Sequence, residues 1–181
     1  FQSGFVWRVV ENKWPSFEES FFRFDIKKIL MMPDEMLEKK AADPKIIRNF
    51  NKVKTIKANA QMIFEEQQNG HNFAEFIANW PSDNMIGLWT YLKKNGARLG
   101  GNTGPYALRA LGKDTFLLSR DVEAYFRSHD HITGGIQTKS SLATIQQCFN
   151  EWQQQCDLSL SQLSRLIAYA TGDNHIQIET L

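Results

Sequence analysis

The segment from Tyr91 to Gly112 contains the residues whose types and spacing are best suited to bind a ligand. A predicted helix leads into a turn with glycines at positions 96, 100, 101 and 104, and a second predicted helix follows. Glycine permits positive φ and lets a phosphate approach the backbone closely. The amides that open the second helix point at that phosphate with a partial positive charge behind them. The segment therefore predicts a hairpin that grips a nucleic-acid backbone without reading its sequence.

The residues expected to hold phosphates lie in this turn and at the start of the second helix, and they are Arg98, Gly100, Gly101, Asn102, Thr103 and Gly104. A glycine-rich turn is weak evidence alone, because an ordinary connection between packed helices uses the same residues. Local charge favours phosphate binding, since the stretch between Asp83 and Asp114 holds five basic residues and no acid. The net charge of the whole chain is only +1 and gives no such indication.

Apolar residues recur at intervals of three and four along the chain and never alternate strictly, so the sequence predicts an all-α fold. Proline, glycine and helix-capping residues divide the chain into about eight or nine predicted helices. Asp43-Pro44 predicts the start of a long helix that ends at Asn69-Gly70, and Pro33-Asp34 predicts the start of a shorter one. With 181 residues, the chain is expected to form a single compact domain, with two small lobes as the alternative.

Capping residues predict the helix boundaries in the second half of the chain. Asp83 is expected to begin the helix that stops at Asn95-Gly96, and Asn102 or Thr103 the next one. Ser119 and Ser140 are expected to begin two more. Ser159 and Gln162 form a capping box before a last helix that ends at Gly172-Asp173.

The composition excludes several classes of protein. No apolar run approaches the length of a membrane span, and no signal peptide is visible, so a soluble intracellular protein is expected. Cys148 and Cys156 are separated by seven residues, which fits neither a zinc half-site nor a disulfide framework, and both are expected to be packing residues. Because the sequence opens at Phe1, a native leader is expected to be missing, or the first residues to include an expression scar.

Several blocks together resemble the 3-methyladenine DNA glycosylase I family of helix-hairpin-helix glycosylases. The resemblance covers roughly residues 2 to 113. The blocks are Gly4-Phe5-Val6-Trp7, Phe24-Asp25, residues 43–49, Lys52-Val53, Asn59-Ala60, residues 92–96 and Gly101-Asn102-Thr103. The most specific of them is Ile46-Ile47-Arg48 with the Lys and Asn-Ala that follow. The resemblance implies a compact multi-helix glycosylase fold in which the glycine-rich turn is the helix-hairpin-helix motif.

The family resemblance also implies an activity. Such an enzyme flips an alkylated adenine out of duplex DNA into an aromatic pocket and hydrolyses its N-glycosidic bond. Trp7 matches a pocket tryptophan and is expected to stack on the flipped base, with a position in the core as its alternative. Phe5 is a weaker candidate for lining the pocket, and a core position is favoured for it.

The implied partner is duplex DNA containing alkylated bases, with no cofactor, no membrane and no obligate protein partner. Because the family is bacterial, the resemblance implies a cytoplasmic protein that associates with the nucleoid when it acts. Water is the expected nucleophile, because the resemblance places no lysine for a Schiff base.

The sequence departs from the family in its catalytic and metal-binding residues. The family's pocket glutamate is expected about two positions before Phe1, outside this sequence. The family's zinc site uses cysteine and histidine from both ends of the chain. After residue 140 this sequence offers only Cys148, Cys156 and His175 at unsuitable spacing, so no metal is expected.

Asp121 is the candidate catalytic residue within the chain. The segment around it resembles the wider helix-hairpin-helix glycosylases, where an aspartate at the start of the next helix stabilises the cationic sugar or activates a nucleophile. Ser119 or Arg120 aligns equally well without a gap, and an ordinary helix-stabilising charge is the alternative for Asp121.

Three functions therefore remain open. The first is a glycosylase that removes alkylated purines such as 3-methyladenine. The second is a catalytically inactive DNA-binding module that retains the helix-hairpin-helix, and the third is a helical scaffold for protein partners. The sequence favours the glycosylase, because the family blocks extend well beyond the hairpin.

Overall fold

The computed structural model describes residue 1 and residues 4–171, and all regular elements in that part of the chain are helical. They comprise ten α-helices: α1 (Trp7–Ser20), α2 (Ile26–Leu30), α3 (Asp34–Ala42), α4 (Phe50–Gln68), α5 (Phe73–Ala78), α6 (Met85–Asn95), α7 (Thr103–Ala110), α8 (Arg120–Ser128), α9 (Lys139–Gln155) and α10 (Leu160–Thr171). Short 3-10 turns occupy Phe22–Phe24 and Ser82–Asn84. The predicted all-α fold is confirmed. None of the described helices is both long enough and apolar enough to cross a membrane.

The helices pack into two compact units. The first unit comprises Phe1–Phe76 together with Asn95–Arg98, and the second comprises Ile77–Lys94 and the described residues from Leu99 onward. Asn95–Arg98 therefore pack in the first unit, although the residues on both sides of them along the chain belong to the second.

Aromatic residues of α1 and the turn that follows build the core of the first unit. Phe17 and Phe21 are fully buried and stack with ring centroids 6.1 Å apart, and the ring of Phe1 lies 4.5 Å from that of Phe17. A spacing of four residues places both phenylalanines on one side of the chain as it leaves the helix. The core cluster of this unit contains nine buried residues: Val10, Phe17, Phe21, Met32, Leu37, Ala41, Ile46, Ile47 and Val53.

The predicted start of the long helix at Asp43-Pro44 is wrong, because α4 begins at Phe50. The side chain of Asp43 accepts a hydrogen bond from the backbone N–H of Lys45 and forms a local turn. Asn49 then supplies the cap, since its Oδ1 accepts the N–H of Lys52 at 3.0 Å. Between these two caps, Ile46 and Ile47 are buried in the core. The predicted end of the helix is confirmed, with Asn69 as the C-cap and Gly70 at φ +85°.

Stacked aromatic rings form the core of the second unit. The rings of Phe116 and Phe149 are 4.2 Å apart and nearly parallel, and Trp89 meets Phe116 edge-on at 4.8 Å. All three side chains are buried. Because these residues come from α6, α9 and the segment before α8, their packing joins distant parts of the chain.

The predicted caps of the second unit are largely confirmed. Ser119 Oγ accepts the N–H of Val122 at 3.2 Å and begins α8. The capping box forms, because Ser159 N donates to Gln162 Oε1 and Gln162 N donates to Ser159 Oγ. Two caps differ from the predicted residues, one by one position and the other by two. Asn84, and not Asp83, accepts the N–H of Gly87 at the start of α6, and Thr138 caps α9 in place of Ser140. Gly172-Asp173, the predicted end of α10, lies outside the described residues.

The two cysteines differ in environment. Cys148 is buried, and this burial raises the pKa of its thiol, with a further rise from the Glu151 carboxylate. Cys156 is exposed at the end of α9, so the prediction that it packs in the core is wrong. Among the described residues, no group of three His, Cys, Asp or Glu side chains is placed to hold a metal ion. His175 lies outside the described residues.

Candidate nucleic-acid interface

The predicted helix, turn and helix are observed as α6, a connecting segment and α7. We call residues 96–104 the glycine turn. Its residues up to Arg98 pack in the first unit, and those from Leu99 pack in the second. Each part is therefore described by itself.

In the second unit, Gly101 and Gly104 are required for different reasons. Gly101 is exposed and adopts φ +58°, with open space where a Cβ would stand. Gly104 is buried, and a Cβ there would lie only 2.5 Å from the carbonyl oxygen of Leu99. Gly101 thus leaves room beside the backbone for a ligand, whereas Gly104 allows the turn to close on itself.

The start of α7 lacks a side-chain cap. Asn102 occupies the N-cap position, but its side-chain amide donates instead to the carbonyl oxygen of Leu118 at 2.9 Å. The predicted N-cap position is confirmed, because α7 begins directly after Asn102. The predicted hydrogen bond from a capping side chain to the helix backbone is wrong, because neither side chain makes it. A helix start without a side-chain cap presents partial positive charge to an anion, as the sequence predicts for a phosphate-binding turn.

In the first unit, Arg98 is exposed and adopts the left-handed conformation at φ +59°. The residue before it is held by α4. Asn59 Oδ1 accepts the N–H of Ala97 at 2.7 Å, and Asn59 Nδ2 donates to the carbonyl oxygen of Ala97 at 3.3 Å. Arg98, the predicted phosphate-binding residue, thus follows Ala97, whose backbone is held by the side chain of Asn59.

The aromatic residues of the predicted base pocket also lie in the first unit. Trp7 is the first residue of α1 and is 55% exposed, so it is not a core residue. Phe5 is half-buried against the core cluster, as its core alternative predicts. The ammonium of Lys52 lies 4.5 Å from the centre of the Phe5 ring and donates a hydrogen bond to the carbonyl oxygen of Phe1 at 2.9 Å.

Lys52 is buried, with 6% of its surface exposed. Burial lowers the pKa of this lysine, and the positive charge of Arg98 lowers it further. Phe5 and the candidate phosphate-binding arginine thus share one neighbour on α4, Lys52.

Comparison with known proteins identifies the family of this chain. The model of the methyladenine glycosylase family matches residues 1–98, which is more than half of the sequence. The chain belongs to the methyladenine glycosylase family. The matched part contains Phe5, Trp7, Lys52, Asn59 and Arg98, whereas the glycines at 100, 101 and 104 follow it.

Two curated relatives and one crystal structure, all named as 3-methyladenine DNA glycosylases, are similar to this chain. The chain is 33% identical over 76 residues to DNA-3-methyladenine glycosylase 1 of Escherichia coli K12, and equally so to DNA-3-methyladenine glycosylase of Haemophilus influenzae. The aligned segment spans 42% of this chain and 41% of each relative. The crystal structure of 3-methyladenine DNA glycosylase I aligns with a TM-score of 0.53 and 28% identity, over 61% of this chain and 71% of that one.

Asp121 of this methyladenine glycosylase family member is the second residue of α8 and lies in the second unit. It is half-buried in the first turn, and Ser119 provides the cap. A carboxylate at this place stabilises a helix dipole. Its catalytic role stays a prediction.

The histidines after α8 belong to an aromatic cluster. His129 stacks on Tyr125 with ring centroids 4.1 Å apart, and its Nδ1 lies 3.0 Å from the carbonyl oxygen of Tyr125. His131 Nδ1 lies 3.9 Å from Cys148 Sγ. Both histidines are exposed, and these contacts place their side chains beside Tyr125 and Cys148.

The sequence did not assign roles to Lys52 and Asn59, although both lie in blocks that resemble the family. The signal in the sequence was the presence of both residues in one predicted helix within the segment that resembles the family. Lys52 and Asn59 are seven positions apart along α4, about two helical turns, which places both side chains on the same side.

Proposed function

We propose that this member of the methyladenine glycosylase family is a DNA base-excision repair enzyme. It hydrolyses the N-glycosidic bond of alkylated purines such as 3-methyladenine in duplex DNA. The observation that carries the proposal is the exposure of Trp7 within the family-matched segment. A large aromatic surface open to solvent at the start of a helix offers a platform on which a flipped base can stack.

The reaction follows from the chemistry of the substrate. Alkylation at N3 gives the nucleoside a positive charge, so the bond between the sugar C1′ and the base nitrogen breaks with its electron pair going to the base. The base leaves neutral, and water adds to C1′ of the cationic sugar and gives up one proton to a base or to solvent. This hydrolysis uses no cofactor. We assign to Asp121 the stabilisation of the cationic sugar or the activation of water.

DNA binding is assigned to the glycine turn. The exposed guanidinium of Arg98 and the uncapped start of α7 supply positive charge, and Gly100, Gly101, Asn102, Thr103 and Gly104 supply the backbone that approaches the phosphates. The partner is duplex DNA with alkylated bases. We place the protein in a bacterial cytoplasm, as is usual for a repair enzyme acting on a chromosome.

The decisive experiment measures release of free 3-methyladenine from alkylated duplex DNA by chromatography and mass spectrometry. Wild type is compared with Trp7→Ala and Asp121→Asn. The matched controls are Trp14→Ala and Asp157→Asn. Trp14 lies in α1, like Trp7, but stacks on Phe24, and Asp157 is an exposed carboxylate. Release that falls in the two test variants but persists in the controls supports the proposal.

Two other outcomes support the alternatives. If wild type releases no base but binds duplex DNA in a salt-dependent manner, the protein is a DNA-binding module without catalytic activity. If it neither releases base nor binds DNA, the helical scaffold is the remaining function.

A further inference from the structure

One amide side chain on α4 binds both backbone groups of Ala97. Asn59 Oδ1 accepts the Ala97 N–H at 2.7 Å, and Asn59 Nδ2 donates to the Ala97 carbonyl oxygen at 3.3 Å. The two residues are 38 positions apart in sequence. A side-chain amide is among the few groups that can donate and accept at once in this way. We refer to this pair of hydrogen bonds as the Asn59 clamp.

The residue that follows the clamp has an unfavourable backbone conformation. Arg98 adopts φ +59°, in the left-handed region where its Cβ is crowded by the backbone. Because this conformation is disfavoured for arginine, contacts that hold the neighbouring backbone stabilise it. Because the Asn59 clamp fixes the peptide groups on both sides of Ala97, it also fixes the peptide that leads into Arg98.

Electrostatics at the same place favour an anion. Lys52 lies on α4 seven positions before Asn59, and the positive charge of Arg98 contributes to the lowered pKa of Lys52. Two cations that disfavour one another raise the free energy of the unbound protein. A phosphate group beside Arg98 would relieve this repulsion.

We propose that Asn59 is a positioning residue for DNA binding, which clamps Ala97 and thereby holds Arg98 with its guanidinium ready for a DNA phosphate. The proposal rests on the proposed function, because it requires that the protein binds duplex DNA. Asn59 itself touches no DNA in this arrangement and acts through the backbone of Arg98.

A double-mutant cycle separates this role from a general structural one. The four proteins are wild type, Asn59→Ala, Arg98→Ala and the double variant, and the measured quantity is the Kd for a short fluorescein-labelled duplex at several salt concentrations. Each single variant is expected to weaken binding about tenfold, the loss of one charge-assisted contact. Each is also expected to reduce the salt slope by about 0.9, the loss of one phosphate contact. The double variant is expected to bind no more weakly than Arg98→Ala.

Gln61→Ala is the matched control, because it removes an exposed amide of the same helix that hydrogen-bonds Glu65 and not Ala97. Amide hydrogen exchange at Ala97 gives a readout that does not depend on DNA. The exchange rate of this amide is expected to rise in Asn59→Ala and to stay at the wild-type value in Gln61→Ala.

Three results would overturn the inference. If Asn59→Ala weakens binding equally with and without Arg98, or leaves binding unchanged, Asn59 does not act through Arg98 while DNA binding itself stands. If wild type fails to bind the duplex, the proposed function fails and this inference fails with it. The double-mutant cycle does not depend on the base-release assay. If wild type binds DNA but releases no base, the Kd values still test whether Asn59 acts through Arg98.

Discussion

The ammonium of Lys52 lies 4.5 Å from the centre of the Phe5 ring, so a buried cation faces an aromatic side chain in the first unit. Lys52 is the third residue of α4, where the helix dipole disfavours a positive charge. The ring of Phe5 and the carbonyl oxygen of Phe1 partly offset that cost. Through these contacts, Lys52 connects α4 with the segment that leads to Trp7.

The burial of Lys52 predicts a pH-dependent stability. Folding lowers the pKa of this lysine, so the unfolded chain binds more protons than the folded chain as the pH approaches 10.5. The free energy of unfolding of wild type is therefore expected to rise with pH relative to that of Lys52→Met. Urea unfolding of both proteins at about pH 9 and at pH 10.5 measures this difference.

A difference between wild type and Lys52→Met that does not change with pH would contradict the prediction.

Trp7 is expected to affect activity without affecting stability. Because Trp7 is more than half exposed, Trp7→Ala should change the free energy of unfolding by no more than about 0.5 kcal/mol. Phe17→Ala, by comparison, removes a fully buried ring and should cost about 3–5 kcal/mol. Urea unfolding measures both values, and base release by Trp7→Ala is expected to fall at least about tenfold. A large loss of stability in Trp7→Ala would show that this tryptophan is a packing residue.

Substitutions at the two glycines should separate binding from folding. Gly104→Ala places a Cβ 2.5 Å from the Leu99 carbonyl oxygen and should destabilise the second unit by about 1–3 kcal/mol. Asparagine tolerates the positive φ of position 101, so Gly101→Asn should retain most of the free energy of unfolding. Its side chain fills the space beside the backbone, so duplex binding is expected to weaken. Unfolding curves and duplex Kd values for both variants test this, and unchanged binding by Gly101→Asn would remove Gly101 from the DNA contact.

Asp114 is expected to stabilise the start of α10. Its two carboxylate oxygens accept the N–H groups of Leu160 and Ser161 at 2.8 and 2.9 Å. Asp114→Ala removes both acceptors and should lower the free energy of unfolding by about 1–2 kcal/mol, whereas Asp114→Asn, which keeps one oxygen, should lower it less. Thermal unfolding with Asp157→Asn as the control measures these effects. Equal stability of Asp114→Ala and the control would rule out this cap.

Local hydrogen bonds made several features predictable from the sequence. The capping box of Ser159 and Gln162 and the cap of Ser119 on Val122 each join residues three positions apart. Gly70 ends α4 because glycine alone adopts its positive φ without strain. The sequence by itself therefore determined the all-α fold and most helix ends. The blocks that resemble the family pointed to the same family that the comparisons identify.

Only the tertiary structure decided which residues make distant contacts. Lys52 reaches Phe1 across 51 positions and Asn59 reaches Ala97 across 38. It also decided that Ile46 and Ile47 enter the core ahead of α4, where the sequence predicted helix. Phe5 and Trp7 are both aromatic, yet one packs on the core and the other is open to solvent. Periodicity describes one element at a time, whereas the partner of a side chain depends on how separate elements pack together.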